Sequence, residues 1–313
     1  MSVLAPARTR QSYRHEAFMW RDRRDYLDGL VPFVSGGLAA GEAVMAALLP
    51  EHLVWMRDSL GAQAAKVCFV DITELGRNPA RIIPAWREFV DDWSGPGRPA
   101  RGIGEPIWAG RHTEELREAQ LHEALLNLAV DPEIPFWLVC PYHDQLGSAV
   151  EQEAHRSHPA IATSDSYQGS PDYGGHAHAQ ALFTADLPGI DTDPTRWVGD
   201  VGDIEDIFAF ITLQASASNL PSDKIVTLAE AVRRLARSSQ RRGADSLTVR
   251  VWDQPDVLIC EMVDTVPIDD YLIGRRVPPP GQDEPYWRAH QTCDLVQMRS
   301  NTAGTAVRLH QRK

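Results

Sequence analysis

Through roughly its first half the chain alternates short apolar runs with longer amphipathic stretches, and that alternation restricts its fold more than any other feature. Ala43–Leu49 is an apolar run closed by Pro50, Val67–Asp71 is a second and Phe136–Cys140 a third. Between them, Arg21–Leu38 places Tyr26, Leu30, Phe33, Val34 and Gly37 at helical spacing. Glu51–Leu60, Pro79–Trp93, His112–Leu128 and Gly147–Ser157 read as further helices. Strands separated by helices need crossover connections, so the expectation is an α/β fold with a mostly parallel sheet covered on both faces. Gly36–Gly41 has the glycine spacing of a phosphate loop, but Glu42 and Ala43 stand where Lys and Ser or Thr are needed. The stretch also follows a helix and precedes a strand, so it is expected to be a helix-ending turn.

The pattern changes towards the C-terminus. Ile204–Ala217 and the stripe Ile225, Leu228, Val232, Leu235 and Ala236 read as two amphipathic helices, the second capped by Ser222 or Asp223. Leu247, Val249 and Val251 alternate with polar partners, Val257–Asp264 is a near-continuous apolar run ending on an acid, and Asn301–Gly304 turns a final hairpin. Helices on one face of a mixed, mainly antiparallel sheet are expected there. Ser164–Gly202 is rich in Ser, Asp, Gly and Pro and reads as an extended loop with the interdomain linker. The division expected is a first domain over 14–180, a linker over 181–203 and a second domain over 204–313, preceded by a flexible arm to about residue 14.

A net charge of -12 argues against general binding to nucleic acid or to an anionic membrane. No run reaches membrane-spanning length, and four widely spaced cysteines within mostly apolar runs suit reduced, buried thiols. The expected location is the cytoplasm.

Five histidines, His143, His155, His158, His176 and His178, fall close together and could in principle carry zinc or haem. Their spacing matches no standard zinc pattern and no cysteine pair accompanies them, so no metal and no cofactor is expected. His158 reads instead as a helix-end cap before Pro159. Cys140-Pro141 is read as a strand end stopped by proline rather than a haem thiolate.

His15, the block PFVSGGLAAGEAV from Pro32, LVCPYHDQL from Leu138 and HRSHPAI from His155 resemble the MEDS sensory domain, over about residues 14–180. That resemblance implies an α/β layer related to RecA-like ATPases without a working phosphate loop, and a role in sensing a small molecule. In a parallel sheet the carboxyl ends of the strands face the ligand crevice. The sensor pocket is therefore expected to draw on His15, Cys140, Tyr142, His143, Asp144 and His158.

The last hundred or so residues resemble the ATPase domain of the GHKL group, in the anti-sigma-factor serine-kinase branch. Leu247–Arg276 and CDLVQMRSNTAGTAVRLH carry the likeness. It implies that Asp264 is the acid that reads adenine. A glycine should follow two residues later, where this chain has Val266 and then Pro267. The general base and the magnesium-binding Asn of that family fall on Arg234 and Ser238, and the glycine-rich phosphate lid falls on Gln282–His290, which has no glycine. Arg234, Ser238, Asp264, Val266 and Asp270 thus define a degenerate nucleotide pocket with no catalytic residue left, and ATP with magnesium is not expected to bind. By family analogy the partner is a sigma factor or an anti-anti-sigma protein. An unknown small ligand and a homodimer complete the expected partners. Arg233, Arg234, Arg237, Arg241 and Arg242 crowd one helix, and Arg234 could turn the old pocket into an anion site. Two alternatives stay open: an active serine/threonine kinase in which Asp264 and Asp294 hold nucleotide and magnesium, and a metal or haem enzyme using the His143–His178 region.

Overall fold

A computed structural model describes residues 12–94 and 98–313. Most of the expected N-terminal arm, residues 1–11, lies outside the described residues. The chain divides into two compact units, Met1–Ala179 and Gln180–Lys313.

The first unit runs β1 (Arg14–Trp20), α1 (Arg23–Ala39), β2 (Ala43–Leu48), α2 (Pro50–Leu60), β3 (Cys68–Asp71), α3 (Ile72–Leu75), α4 (Ile82–Phe89), β4 (Ala100–Gly104), α5 (Thr113–Ala129), β5 (Phe136–His143), α6 (Ser148–Ser157), β6 (Ala160–Ala162) and β7 (Tyr167–Gly169). Helix α7 (Gly175–Thr184) crosses the division. The seven strands form one sheet in the order β3-β2-β4-β5-β1-β6-β7, parallel except for the terminal β6–β7 pair. Phe18, Tyr26, Leu30, Phe33 and Val139 are at most 1% exposed beneath α1 and α2, and each such side chain contributes about 1.5–3 kcal/mol by leaving water. The connection from β1 to α1 is only Arg21 and Asp22, and Asp22 accepts from Asp25 N at 2.9 Å to cap the helix. A carboxylate already occupies the helix end where a phosphate would sit. Gly36 and Gly37 close α1, and Gly41, at φ +73°, makes the turn into β2.

Of the seven strands, β1, β4, β6 and β7 were not legible in the sequence, and β1 and β4 show why. β1 opens with Arg14, His15 and Glu16, yet His15 and Glu16 are 2% exposed. Glu16 is held by Arg14, by Trp137 Nε1 at 2.9 Å and by the Tyr167 hydroxyl at 2.8 Å. β4 contains two glycines because Trp86 lies on it: a Cβ on Gly102 would come 2.8 Å from Leu138 Cδ1 and 3.0 Å from Trp86 Cζ3. β5 does not stop at Cys140 but continues through Pro141 to His143. Its pairing with β4 ends at Val139, so the proline, which lacks an N–H, falls beyond the last β4 partner. The helix expected over 79–93 is broken into a 3-10 turn at Pro79–Arg81, α4 and a π-type turn at Val90–Ser94.

The second unit runs β8 (Thr195–Asp200), α8 (Ile204–Ala217), α9 (Ser222–Arg241), β9 (Ser246–Asp253), β10 (Val257–Asp264), α10 (Pro285–Thr292), β11 (Leu295–Asn301) and β12 (Gly304–Arg312). Its five strands are ordered β11-β12-β10-β9-β8, and every pairing is antiparallel, where a mixed sheet was expected. Leu247, Val249, Val251, Cys260, Met262, Val307 and Leu309 alternate onto one buried face. The opposite face buries charge: Glu261 accepts from Arg308 Nη2 at 2.6 Å and Arg250 Nη1 at 2.7 Å. The segment 164–202, expected as loop and linker, contains β7, α7 and β8. Ala179 and Phe183 anchor α7 one turn apart, whereas β8 is a half-exposed edge strand without an alternating apolar signal.

Candidate functional site

The strand pleat sorts the expected sensor residues into two places. Successive side chains alternate faces, and paired residues share one. Ala17 pairs with Cys140 and Met19 with Tyr142, so His15, Cys140 and Tyr142 share the face covered by α5 and α6. Trp20 pairs with His143 on the other parity. The six residues therefore do not line one pocket.

On the first face lies a buried polar cluster. His15 Nε2 and His158 Nε2 are each 3.0 Å from Glu123 Oε2 on α5, and Cys140 Sγ is 3.4 Å from His15 Nε2. The His15 and His158 rings lie 4.2 Å apart, and Tyr142 stands edge-on to His158 at 5.5 Å. His158 also bonds Ala154 O at 2.8 Å, which is the helix-end contact its position suggested. Burial and the neighbouring His158 push the His15 imidazole down, towards its neutral form. Burial raises the Glu123 carboxyl, but the two imidazoles more than offset this and hold it well below the ordinary range. Burial and the Glu123 charge push the Cys140 thiol up, and burial does the same to the Tyr142 hydroxyl. Donor atoms of His15, Glu123, Cys140 and His158 all lie within 4.8 Å of one another, the set best able to hold a metal among the described residues.

The second place is a cavity of about 190 Å³ at the carboxyl ends of the strands. Trp20 ends β1, Leu49 follows β2, Glu105 follows β4 and His143 ends β5, and all four line it with His52 and Trp108. The walls are mostly aromatic and aliphatic. Trp20 meets the His143 ring edge-on at 4.2 Å and His52 at 5.4 Å. The polar element is His52, whose Nδ1 lies 2.8 Å from Glu105 Oε1, with Leu49 N donating to Glu105 Oε2 at 2.9 Å. This is the crevice position where parallel α/β sheets bind ligands. The side chain of Asp144 is 53% exposed and its residue is not among those lining the cavity.

The remaining histidines diverge. His178 pairs with Glu153, and His176 is exposed on α7. Among the described residues, His143, His158, His176 and His178 thus share no centre.

In the second unit, Asp264 ends β10 at 4% exposure and faces the end of α9. Its Oδ2 accepts from Ser239 Oγ and Arg242 Nη2, both at 2.5 Å, and its Oδ1 from Val266 N at 2.8 Å. Arg242 Nη1 also reaches Val266 O at 2.7 Å. Tyr286 of α10 is 3% exposed and hydrogen-bonds Ser238. Gly304 is required beside them: it sits at φ +134°, and a Cβ there would lie 1.9 Å from Asp264 O. Arg234 does not reach Asp264. Its guanidinium is held by Glu230 at 2.6 Å and by Asp283, so the cation expected to create an anion site is already matched by two carboxylates. Asp270 pairs with Arg276 at 3.0 Å and is exposed. Asp294 binds Lys224 Nζ at 3.1 Å and Arg312 N at 2.9 Å.

Sequence reasoning missed Glu123, Glu105, His52, Ser239 and the role of Arg242. Glu123 and His52 sit on helices whose periodicity reads only as apolar against polar. Arg242, three residues after Ser239 at the helix end and followed by Gly243, was recognisable only as one member of a basic run.

Residues 14–159 match the model of the family described as MEDS, the methanogen/methylotroph DcmR sensory domain. The match covers just under half of the chain. No curated protein matches. Among solved structures, the crystal structure of the RsbU and RsbW domains of Rv1364c from Mycobacterium tuberculosis is similar at 10% identity and a TM-score of 0.29. That likeness covers 39% of this chain and 32% of that one, about a third of its length, and is too slight to bear on function. Among the described residues, no helix is long and apolar enough to cross a membrane.

Proposed function

We propose that the chain is a cytoplasmic signalling regulator in which a ligand-sensing first unit is joined to a second unit that acts by binding a protein and does not transfer phosphate. The match of residues 14–159 to a sensory family supports the first half, and the cavity bounded by Trp20, His52, Glu105 and His143 is the place for a small, largely apolar ligand. The observation that carries the second half is the internal occupation of Asp264. An acid that reads an adenine amino group needs an oxygen facing the pocket. Here both oxygens accept from Ser239, Arg242 and Val266 of the same unit. The positions matched to the family's base and magnesium ligand are an ion-paired Arg234 and a Ser238 bonded to Tyr286. The resemblance of this region to anti-sigma kinases supports a sigma factor or an anti-anti-sigma protein as the partner. Incubating the chain and such a partner with labelled ATP and magnesium is expected to leave the partner unmodified while the two co-elute on gel filtration. Label on a partner serine would overturn the reading.

A further inference from the structure

Four elements of the first unit send one side chain each to a common point: His15 from β1, Glu123 from α5, Cys140 from β5 and His158 from the end of α6. None is more than 2% exposed. Their outer partners decide how the imidazoles present themselves. His158 Nδ1 is 2.8 Å from Ala154 O, which can only accept, so Nδ1 carries the hydrogen. The Asn127 amide donates to Ser157 O at 2.8 Å, which leaves its Oδ1, 3.2 Å from His15 Nδ1, as an acceptor for that ring as well. In its neutral form each ring is thereby held as the Nδ1–H tautomer with its Nε2 lone pair turned inward. Each Nε2 is 3.0 Å from the same atom, Glu123 Oε2, itself an acceptor. With both rings neutral, two Nε2 lone pairs and a carboxylate meet at that distance, so either a proton or a metal ion must supply positive charge among them. The buried Glu123 Oε1 has no hydrogen-bond partner.

We propose that this cluster binds a divalent transition-metal ion, with zinc(II) the best fit, through His15 Nε2, His158 Nε2, Glu123 and Cys140 Sγ. Bonds of about 2.0–2.1 Å to nitrogen or oxygen and 2.3 Å to sulfur place tetrahedral donors about 3.3 Å apart for N–O and about 3.5 Å for N–S. The two imidazole–carboxylate separations of 3.0 Å and the Cys140–His15 separation of 3.4 Å come within a few tenths of an ångström of these values, and all four donor atoms lie within 4.8 Å of one another. Two imidazoles and a thiol suit zinc, iron(II) or cobalt(II) and not calcium or magnesium, which take oxygen. Ala154 and Asn127 orient the ligands from behind, as carbonyl partners of metal-bound histidines do. On binding, the ion replaces the Sγ proton and any proton held between the imidazoles and Glu123, and these leave to solvent. Thiolate and carboxylate then balance the double positive charge, so the filled site is neutral where burial demands it. Four protein donors leave no position for a substrate, so the ion clamps β1, β5, α5 and α6 together rather than doing chemistry. The cluster lies on the opposite sheet face from His143, and its metal binding does not depend on whether the nearby cavity is a sensor pocket.

Chelator-treated full chain would be titrated with cobalt(II) and then zinc(II). The expected result is one cobalt per chain with a thiolate charge-transfer band and tetrahedral d–d bands, all displaced by zinc, together with a rise in Tm. Cys140→Ala should lose the charge-transfer band, and Cys260→Ala, which alters a buried cysteine of the other unit, should keep it. Should Cys140→Ala fail to fold, His158→Gln is expected to lower cobalt affinity at least a hundredfold. No spectral change on the wild-type chain in excess cobalt, or bands that persist in folded Cys140→Ala, would overturn the assignment.

Discussion

Removing Arg242 tests the internal occupation of Asp264 directly. In Arg242→Ala the carboxylate at 4% exposure keeps its donors from Ser239 and Val266 but loses its only close cation among the described residues. Stripping one partner from a buried ion pair costs about 3–5 kcal/mol. Arg242 is 20% exposed and two neutral donors remain, so water recovers part of that and the expected loss is about 2–3 kcal/mol. Asp264→Ala leaves Ser239 and Val266 N without their acceptor, at about 1–3 kcal/mol. The double variant should cost less than the sum, with a coupling of about 1.5–2 kcal/mol. The assay is urea unfolding of the full chain. Because two units need not unfold together, hydrogen exchange of peptides from 204–313 assigns the transition to the second unit. A loss under about 0.5 kcal/mol in Arg242→Ala, or a coupling near zero, would show that the ion pair does not hold Asp264 and that its carboxylate is available to a ligand.

Arg234→Ala should cost under about 1 kcal/mol, because its pairs with Glu230 and Asp283 are largely solvated, and chemical denaturation would show a larger role as a larger shift. Gly304→Ala should prevent stable folding of the second unit, since its Cβ would overlap the Asp264 carbonyl; a cooperative melt within a few degrees of wild type would contradict that geometry. In the first unit, Glu105→Ala removes the partner of buried His52 and of Leu49 N, and thermal unfolding should register a loss of about 2–4 kcal/mol. His310 is pushed down to about 3, first by burial and then by the Arg308 and Arg312 charges. Its folded value lies below the ordinary 6.5, so between those limits the unfolded chain takes up a proton that the folded one refuses. Stability should therefore fall as pH drops through this window, by at most about 1.4 kcal/mol per unit, and His310→Gln should flatten the slope; an unchanged slope would refute the assignment.

The alternation of strands and helices was legible because apolar periodicity survives wherever a strand is buried between hydrophobic layers. It failed at β1 and β4 for opposite reasons. β1 spends two of its first positions on polar side chains that are buried and matched, and β4 on glycines that make room for Trp86. The candidate sites were half legible. Cys140, Tyr142 and His143 stood out at a strand end, but their division between two faces follows from the pleat and from a strand that runs on through Pro141. Glu123 sits in the middle of a helix whose sequence gives no reason to separate it from Glu114, Glu115 or Glu118. Asp264 was recognisable from its place after an apolar run. That Arg242 rather than solvent faces it depends on where α9 ends, a boundary that sequence periodicity locates only to within a few residues.

Calorimetric titration of the full chain with ATP, with and without magnesium, tests the claim that the second unit has lost nucleotide binding. No saturable heat and no rise in Tm are expected at millimolar ATP under either condition. Saturable, magnesium-dependent binding that Asp264→Ala abolishes would contradict the claim, because Asp264 would then exchange its internal donors for the nucleotide.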